Sequence, residues 1–428
     1  MDRQTTLSIV SGRVLDPVAG IDRVADLHVD GSRILAIGDA PSGFDAARTI
    51  DASGCWVMPG LVDLAARLRE PGYEYKATLE SELGAALAGG IVSVCCPPDT
   101  DPPLDEPGLV EMLKHRARQI DGTRVYPIGA LVVGLDGVVI TEMAQLATAG
   151  CVGFGLAGPL MPDTQSLLHA MDYAHTFGYT VWLRPQDPHL GRGGVAHAGA
   201  VAGRLGLAGV PDIAETVALN TIFDLVRATG CRVHLCRLSS AKGVALVREA
   251  KREGLPISCD VAVHHLHLCD IDIGHFDTRC RVDPPFRAQR DRDAIRAGLA
   301  DGTIDVICSD HTPVDDDAKQ LPFGEAEPGV TGLELLLPLA SKWASEDGIE
   351  PLALVALLTA NASSVIRYSP TGIGAGAAAD LCVFDPSVPW RIERSTVRSQ
   401  SCHTPYLGRE LLGRVRATVV GGRVAFGG

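Results

Sequence analysis

Chemically capable residues in this chain gather at the ends of a few apolar runs. The stretch Pro59 to Gly72, PGLVDLAARLREPG, runs apolar into the carboxylate of Asp63 and then turns through Arg67 and Arg69. Such a run, closing on a carboxylate and a charged turn, is how a barrel strand delivers side chains to an active-site mouth. Another run ends Cys-Ser-Asp310-His311-Thr-Pro, where Asp310 is a candidate general base. Without an activated water Asp310 has little to deprotonate, and beside the arginines that end other runs, Arg184 and Arg237, it reads equally as their neutralising partner. His264, His265 and His267 form the one histidine cluster. On an extended strand alternate residues share a face, so His265 and His267 are expected on one side and His264 on the other. No His-x-x-x-His pair and no CxxC supports a metal site built from these histidines, His234 and Asp310. The acidic run Asp315 to Asp317 reads as a solvated loop.

The elements that would position these residues alternate regularly. Eight strand-like runs are predicted at Val57–Asp63, Ile91–Cys96, Val125–Ala130, Val152–Phe154, Thr180–Leu183, Arg232–Cys236, Ile257–Val261 and Asp305–Cys308. Between them, segments such as Ile213–Thr229 and Ala241–Glu253 carry apolar residues at three- and four-residue steps, the pattern of repeated βα units with an outer helical ring. A doubly wound open sheet fits less well, because no GxGxxG or P-loop follows the first strand. Short strands broken by Gly12, Gly20, Gly31 and Gly38 precede the barrel, and the runs Asp380–Asp385 and Arg414–Phe426 follow it. The fold expected is therefore α/β, a (β/α)8 barrel over residues 58–369. A composite β-sandwich domain from both chain ends, 1–57 plus 370–428, is expected to flank it.

Composition bounds the rest. With 428 residues, 46% hydrophobic and 21% charged, the chain can build a large domain and a smaller one. A net charge of −14 argues against a nucleic-acid or anionic-membrane surface. The twelve cysteines are scattered except for Cys95-Cys96, as small buried hydrophobes are, which suits a reducing compartment. MDRQTTLSIVSGRVLD is charged throughout and reads as neither signal peptide nor membrane span, so a cytoplasmic location is expected.

The run Pro-Gly-Leu-Val-Asp with Leu-Arg-Glu-Pro-Gly resembles the first barrel strand of the dihydroorotases, within the amidohydrolase superfamily. The family pattern places His-x-His, a zinc-ligand pair, where this chain has Ala65 and Arg67. A methyl group and a guanidinium offer a metal no lone pair. The strand-two turn Cys-Cys-Pro-Pro-Asp-Thr resembles the family's Met-Pro-Asn-Thr, with Asp99 replacing the substrate-binding amide. The strand-four end Gly-Phe-Gly-Leu156-Ala157 lacks the metal-bridging carboxylate. The next two ligand histidines correspond to Arg184, followed by Gln186, and to Arg237. Retained are Asp310-His311 of the strand-eight motif, Arg69 at the position that grips the substrate carboxylate, and Val282-Asp283-Pro-Pro-Phe-Arg287 with Asp283 in place of asparagine. The loop Pro322 to Glu334 matches as well, so the resemblance spans the chain.

What the resemblance implies is a homologue with no catalytic residues at work and no cofactor. Asp310 would be a vestigial base, and Arg69, Asp99, Asp283 and His265 would line a substrate-like pocket. The motifs are most similar to the dihydroorotase-like chains that accompany aspartate carbamoyltransferase in some bacteria. A homo-oligomer that partners the carbamoyltransferase catalytic chain in pyrimidine biosynthesis is the implied role. The alternative is a zinc-dependent dihydroorotase, or another cyclic-amide hydrolase, with a reduced metal site.

Overall fold

The computed structural model describes residues 6–120, 122–159, 163–368 and 372–428. Five strands open the chain: β1 (Thr6–Asp16), β2 (Ile21–Asp30), β3 (Arg33–Ile37), β4 (Arg48–Asp51) and β5 (Trp56–Pro59). Eight parallel barrel strands follow among the described residues. They are β6 (Leu61–Asp63), β7 (Ile91–Cys96), β8 (Arg124–Ala130), β9 (Gly153–Gly155), β10 (Thr180–Leu183), β13 (Arg232–Leu235), β14 (Ile257–Ala262) and β15 (Val306–Cys308). A two-residue pair, β11 (Ala196–His197) and β12 (Gly209–Val210), sits in the long loop after β10. The last strands are β16 (Leu381–Arg391), β17 (Glu410–Val420) and β18 (Arg423–Gly427).

The barrel strands hydrogen-bond in chain order from β6 to β15. The ring closes through the continuations of its first and last strands: His311 N donates to Ala65 O at 3.1 Å, and Arg67 N donates to His311 O at 2.8 Å. All six residues of β7 are buried, as parallel strands covered on both faces require. The covering helices are α1 (Leu79–Ala88), α2 (Pro107–Ile120), α3 (Met143–Ala149), α4 (Thr164–Phe177), α5 (Ala200–Leu205), α6 (Ile213–Thr229), α7 (Ala241–Glu253) and α8 (Gln289–Ala300). Their starts follow local chemistry. Thr78 and Ser81 form a capping box on α1, and the Ser240 hydroxyl accepts from Gly243 N on α7. Helices α6 and α7 have the bounds that the apolar periodicity predicts, while the strand expected over Val57–Asp63 is two strands.

The break falls at Gly60, where the chain leaves the end sheet for the barrel. Gly60 N donates to Asp380 O at 2.9 Å, and a Cβ there would lie 2.3 Å from a Val92 methyl, so the crossing admits only glycine without rearrangement. Before it, β5 pairs with β1 and β16; after it, β6 pairs with β7. The two chain ends do meet in one sheet, ordered β18-β17-β16-β5-β1-β2-β3 with β4 beside β1. The hydrogen bonding runs continuously through this composite end domain. Side chains from both ends of this sheet, among them Leu7, Val29, Ile34, Val383 and Val419, enclose a second core apart from the barrel's. The expected domain boundary at residues 369 and 370 lies outside the described residues.

Candidate functional site

The C-terminal ends of the barrel strands open into a cleft of about 350 Å³. Asp63, at the end of β6, does not reach it. Its carboxylate is fully buried and accepts from the Ser309 amide at 2.9 Å and from the Ser309 hydroxyl, which locks the first strand to the last. Two residues further on, the half-buried Ala65 contributes only a methyl group beside the small hollow, about 40 Å³, under the cleft.

Arginines and carboxylates fill the mouth in pairs. Arg67 donates Nε to Asp99 at 2.6 Å, Nη1 to the Thr312 hydroxyl at 3.0 Å and Nη2 to Ala157 O at 3.2 Å. Arg237 donates Nη1 to Asp310 at 3.0 Å and Nη2 to the same Ala157 carbonyl at 3.2 Å. Arg184 grips Asp283 with two nitrogens, at 2.5 and 2.6 Å, and also reaches Gln186. Arg69 donates to Pro313 O at 2.9 Å and stands 3.6 Å from Glu327. Around one cleft the guanidiniums of Arg67, Arg184 and Arg237 thus face the carboxylates of Asp99, Asp283 and Asp310, while Glu327 near Arg69 is bonded directly by Lys76 at 2.6 Å.

Backbone geometry serves this arrangement. Arg69, Ala157, Arg237 and Asp310 all have φ between 46° and 63°, the left-handed region that side-chain-bearing residues rarely adopt. Such residues cost of order 1 kcal/mol each and cluster where the surrounding contacts hold them. At Ala157 the twist turns the carbonyl inward, where it serves two guanidiniums at once. A backbone oxygen therefore does at the end of β9 what no side chain there could.

The electrostatics follow from burial set against pairing. Burial works to raise Asp99 and Asp283, but Arg67 and Arg184 outweigh it and hold both carboxyls below the usual range. Burial pushes the Asp310 carboxyl up, with Arg237 and Arg67 pulling it back. Burial opposes the charge on Arg237 as well, yet Asp310 at 3.0 Å holds its proton firmly.

The histidines fall differently from the strand reading. Strand β14 ends at Ala262, and Val263–Leu266 form a 3₁₀ turn, so His264 and His265 lie side by side with ring centroids 5.0 Å apart. Both pack on Phe286 behind Asp310, and His265 does not line the cleft that holds Arg69, Asp99 and Asp283. Burial pushes each ring down to about 3, so both are neutral. His264 Nε2 stands 3.9 Å from Asp310, beyond hydrogen-bond reach. His267 points away and bonds Leu339 O at 2.9 Å.

His234 lies deeper in the barrel, bonded through Nδ1 to Ser258 Oγ at 2.8 Å and through Nε2 to Asp260 at 2.9 Å. With Cys236 and Asp260 it makes the one set of three ligand-type side chains gathered within 4.8 Å among the described residues. Sequence reading misses Cys236 and Asp260, although a lone carboxylate inside the apolar run Ser-Cys-Asp-Val-Ala is itself a signal of a buried polar contact. As a cation site the set fits poorly. Both imidazole nitrogens are engaged, burial keeps the Cys236 thiol protonated, and Arg184 and Arg237 share the adjoining hollow. At the mouth, Ala65, Arg67, Leu156, Ala157, Arg184 and Arg237 supply aliphatic groups, guanidiniums and a carbonyl already shared, and the carboxylates Asp99, Asp283 and Asp310 are each engaged by a guanidinium, so zinc does not fit the donors there either.

Comparison with known proteins places this geometry. The dihydro-orotase-like family model matches residues 54–243, and the amidohydrolase family model matches residues 189–425. A "dihydroorotase-like protein" of Pseudomonas putida is 44% identical over 99% of both chains. Its namesake in Pseudomonas aeruginosa is 43% identical over 99% of this chain and 100% of its own. A protein named "dihydroorotase" from Anaeromyxobacter sp. is 37% identical over 98% of this chain and 97% of its own. Among solved structures, the L-hydantoinase (dihydropyrimidinase) of Arthrobacter aurescens superposes with a TM-score of 0.85 at 24% identity, covering 98% of this chain and 96% of that one. At that identity the likeness concerns the fold. Among the described residues, no helix is long and apolar enough to cross a membrane. The chain belongs to the amidohydrolase family, among its dihydroorotase-like members.

Proposed function

We propose that the chain is a non-catalytic dihydroorotase-like subunit, without a metal cofactor, that supports assembly and activity of aspartate carbamoyltransferase in cytoplasmic pyrimidine biosynthesis. The observation that carries this reading is the closed set of ion pairs at the mouth. Asp310, the only retained acid of the metal-and-base set, is hydrogen-bonded to Arg237 and 3.8 Å from Arg67. A carboxylate held on one oxygen by two guanidiniums serves as their ion-pair partner, and the arginines beside it offer a metal no lone pair with which to generate the hydroxide that a base there would need. A binding role, by contrast, needs a packed scaffold, and both cores are intact.

Co-expression with the carbamoyltransferase catalytic chain from the same organism, followed by size exclusion, tests the proposal. A shared peak of several hundred kilodaltons, with carbamoyltransferase activity that falls when this chain is omitted, is the expected outcome. Independent elution with full activity of the catalytic chain alone would refute it. The competing reading, a hydrolase on a reduced metal site, draws on Asp310 and on relatives named dihydroorotase. It requires stoichiometric zinc and dihydroorotate turnover in the purified chain, where neither is expected. Turnover is expected to stay absent in Ala65→His/Arg67→His, because Arg184 and Arg237 still occupy ligand positions.

A further inference from the structure

A second cleft, of about 460 Å³, lies at the opposite end of the barrel, between α2, the start of β8 and the turn joining β17 to β18. Its lining includes Lys114, Arg118, Arg124 and Arg423 and, among the described residues, no carboxylate. Asp380, just outside the lining, bonds Arg124 and the Gly421 amide and balances the Arg124 charge, so the excess positive charge of the cleft rests on Lys114 and Arg118. Lys114 and Arg118 stand four residues apart on α2 and therefore share a face. Lys114 Nζ reaches the Ala149 carbonyl at only 3.4 Å, and Arg118 is exposed. Arg124 is held rigidly by two hydrogen bonds to Asp380, at 2.7 and 3.0 Å, with its side chain 39% exposed.

Two things distinguish this cleft from a scatter of solvated cations. It is walled by two separate sheets, and its volume falls in the range of about 300 to 1,000 Å³ typical of small-ligand sites, which favour such inter-domain positions. Low-dielectric walls lined by one sign of charge concentrate counter-ions. Arginine forks and a lysine point charge together match the tetrahedral oxygens of phosphate better than a lone carboxylate. We propose that the cleft binds a small, multiply charged phosphate compound, with Lys114 and Arg118 contacting phosphate oxygens and Arg124 setting the wall against which they converge.

Calorimetric titration of the full chain with pyrophosphate at fixed ionic strength tests this. Saturable binding is expected, weakened about tenfold in Arg118→Glu and measurably in Lys114→Gln, as the loss or reversal of one short-range charge implies. Arg252→Glu, an exposed site on α7 with the same charge change, is expected to leave the affinity unchanged. Absence of saturable binding, or an equal loss in Arg252→Glu, would overturn the site, the latter by showing a diffuse charge effect. Sedimentation with vesicles containing anionic phospholipid separates the two sources of phosphate. Binding to vesicles without binding to pyrophosphate would overturn a free phosphate ligand.

Discussion

Asp310 and His311 are neighbours on one strand end, both almost wholly buried, yet they open into different chemistry. Asp310 faces the mouth, where Arg237 and Arg67 stand beside its carboxylate. His311 faces the seam between barrel, α1 and the segment 398–401. Its Nδ1 accepts Gly332 N–H at 3.1 Å, which leaves the ring proton on Nε2 to donate to Glu82 at 2.7 Å. The other Glu82 oxygen accepts from Gln400 N at 3.1 Å and from Ser81 Oγ at 2.8 Å. Burial works against the Glu82 carboxylate, yet the His311 hydrogen bond and its neighbours outweigh it and hold the carboxyl below its usual range. The retained Asp-His motif thus divides. Its histidine bonds across the seam to Glu82 and Gly332, and its aspartate pairs with the arginines of the mouth.

Removing the seam's acceptor is the strongest way to test that division. Glu82→Ala strands a buried imidazole N–H and the Gln400 amide, and about 4 kcal/mol of stability is expected to disappear in urea unfolding. Glu82→Gln keeps an acceptor and is expected to lose about half as much. An unchanged midpoint in Glu82→Ala would show that the seam is ornamental. At the mouth, Arg237→Met leaves Asp310 without its nearest counter-charge, and about 3 kcal/mol of destabilisation is expected. Replacing both members, Arg237→Met with Asp310→Leu, removes the unpaired charge and is expected to recover most of that loss. Additive losses in the double variant would mean that the two side chains do not act as a pair.

Much of the architecture is legible in the sequence because it rests on local periodicity. Helices α6 and α7 show apolar steps of three and four residues, and the barrel runs are nearly continuous apolar stretches. The strand break at Gly60 is not legible, because it depends on Val92 and Asp380, residues distant in sequence. At the mouth the replaced residue types can be read, but their pairing cannot. A row of arginines implies repulsion until Asp99, Asp283 and Glu327, each from a different loop, are brought opposite them. The bridging role of Ala157 lies in its φ of 59°, which its side chain does not announce. Strand alternation puts His264 and His265 on opposite faces, and it fails there because the chain turns after Ala262.

Glu334 in the seam and Asp99 and Asp283 at the mouth also respond oppositely to pH, which gives the finest test. Glu334, deep in the seam, accepts from the Arg398 and Ser399 amides at 2.9 to 3.3 Å. Burial pushes its carboxyl up to about 7, with Glu82 adding to the push and those amides opposing it. A folded-state value above the unfolded one, 4.5, means that the protonated seam is most favourable below 4.5 and that this contribution fades as pH rises through 7. Each tenfold difference in proton affinity between the folded and unfolded chain is worth ~1.4 kcal/mol, so the loss of this contribution between pH 4.5 and 7 is about 3 kcal/mol. Asp99 and Asp283 at the mouth lie below their unfolded value of 3.8, so their contribution is present above that pH and lost as pH falls through their folded values. Relative to Glu334→Gln, the parent is therefore expected to lose melting temperature from pH 4.5 to 7, superimposed on the rise that the neutral His264 and His265 give both proteins in that range, while the drop at the acid end is common to both. Parallel curves for the two proteins would place the neutral-range titration elsewhere than in the seam.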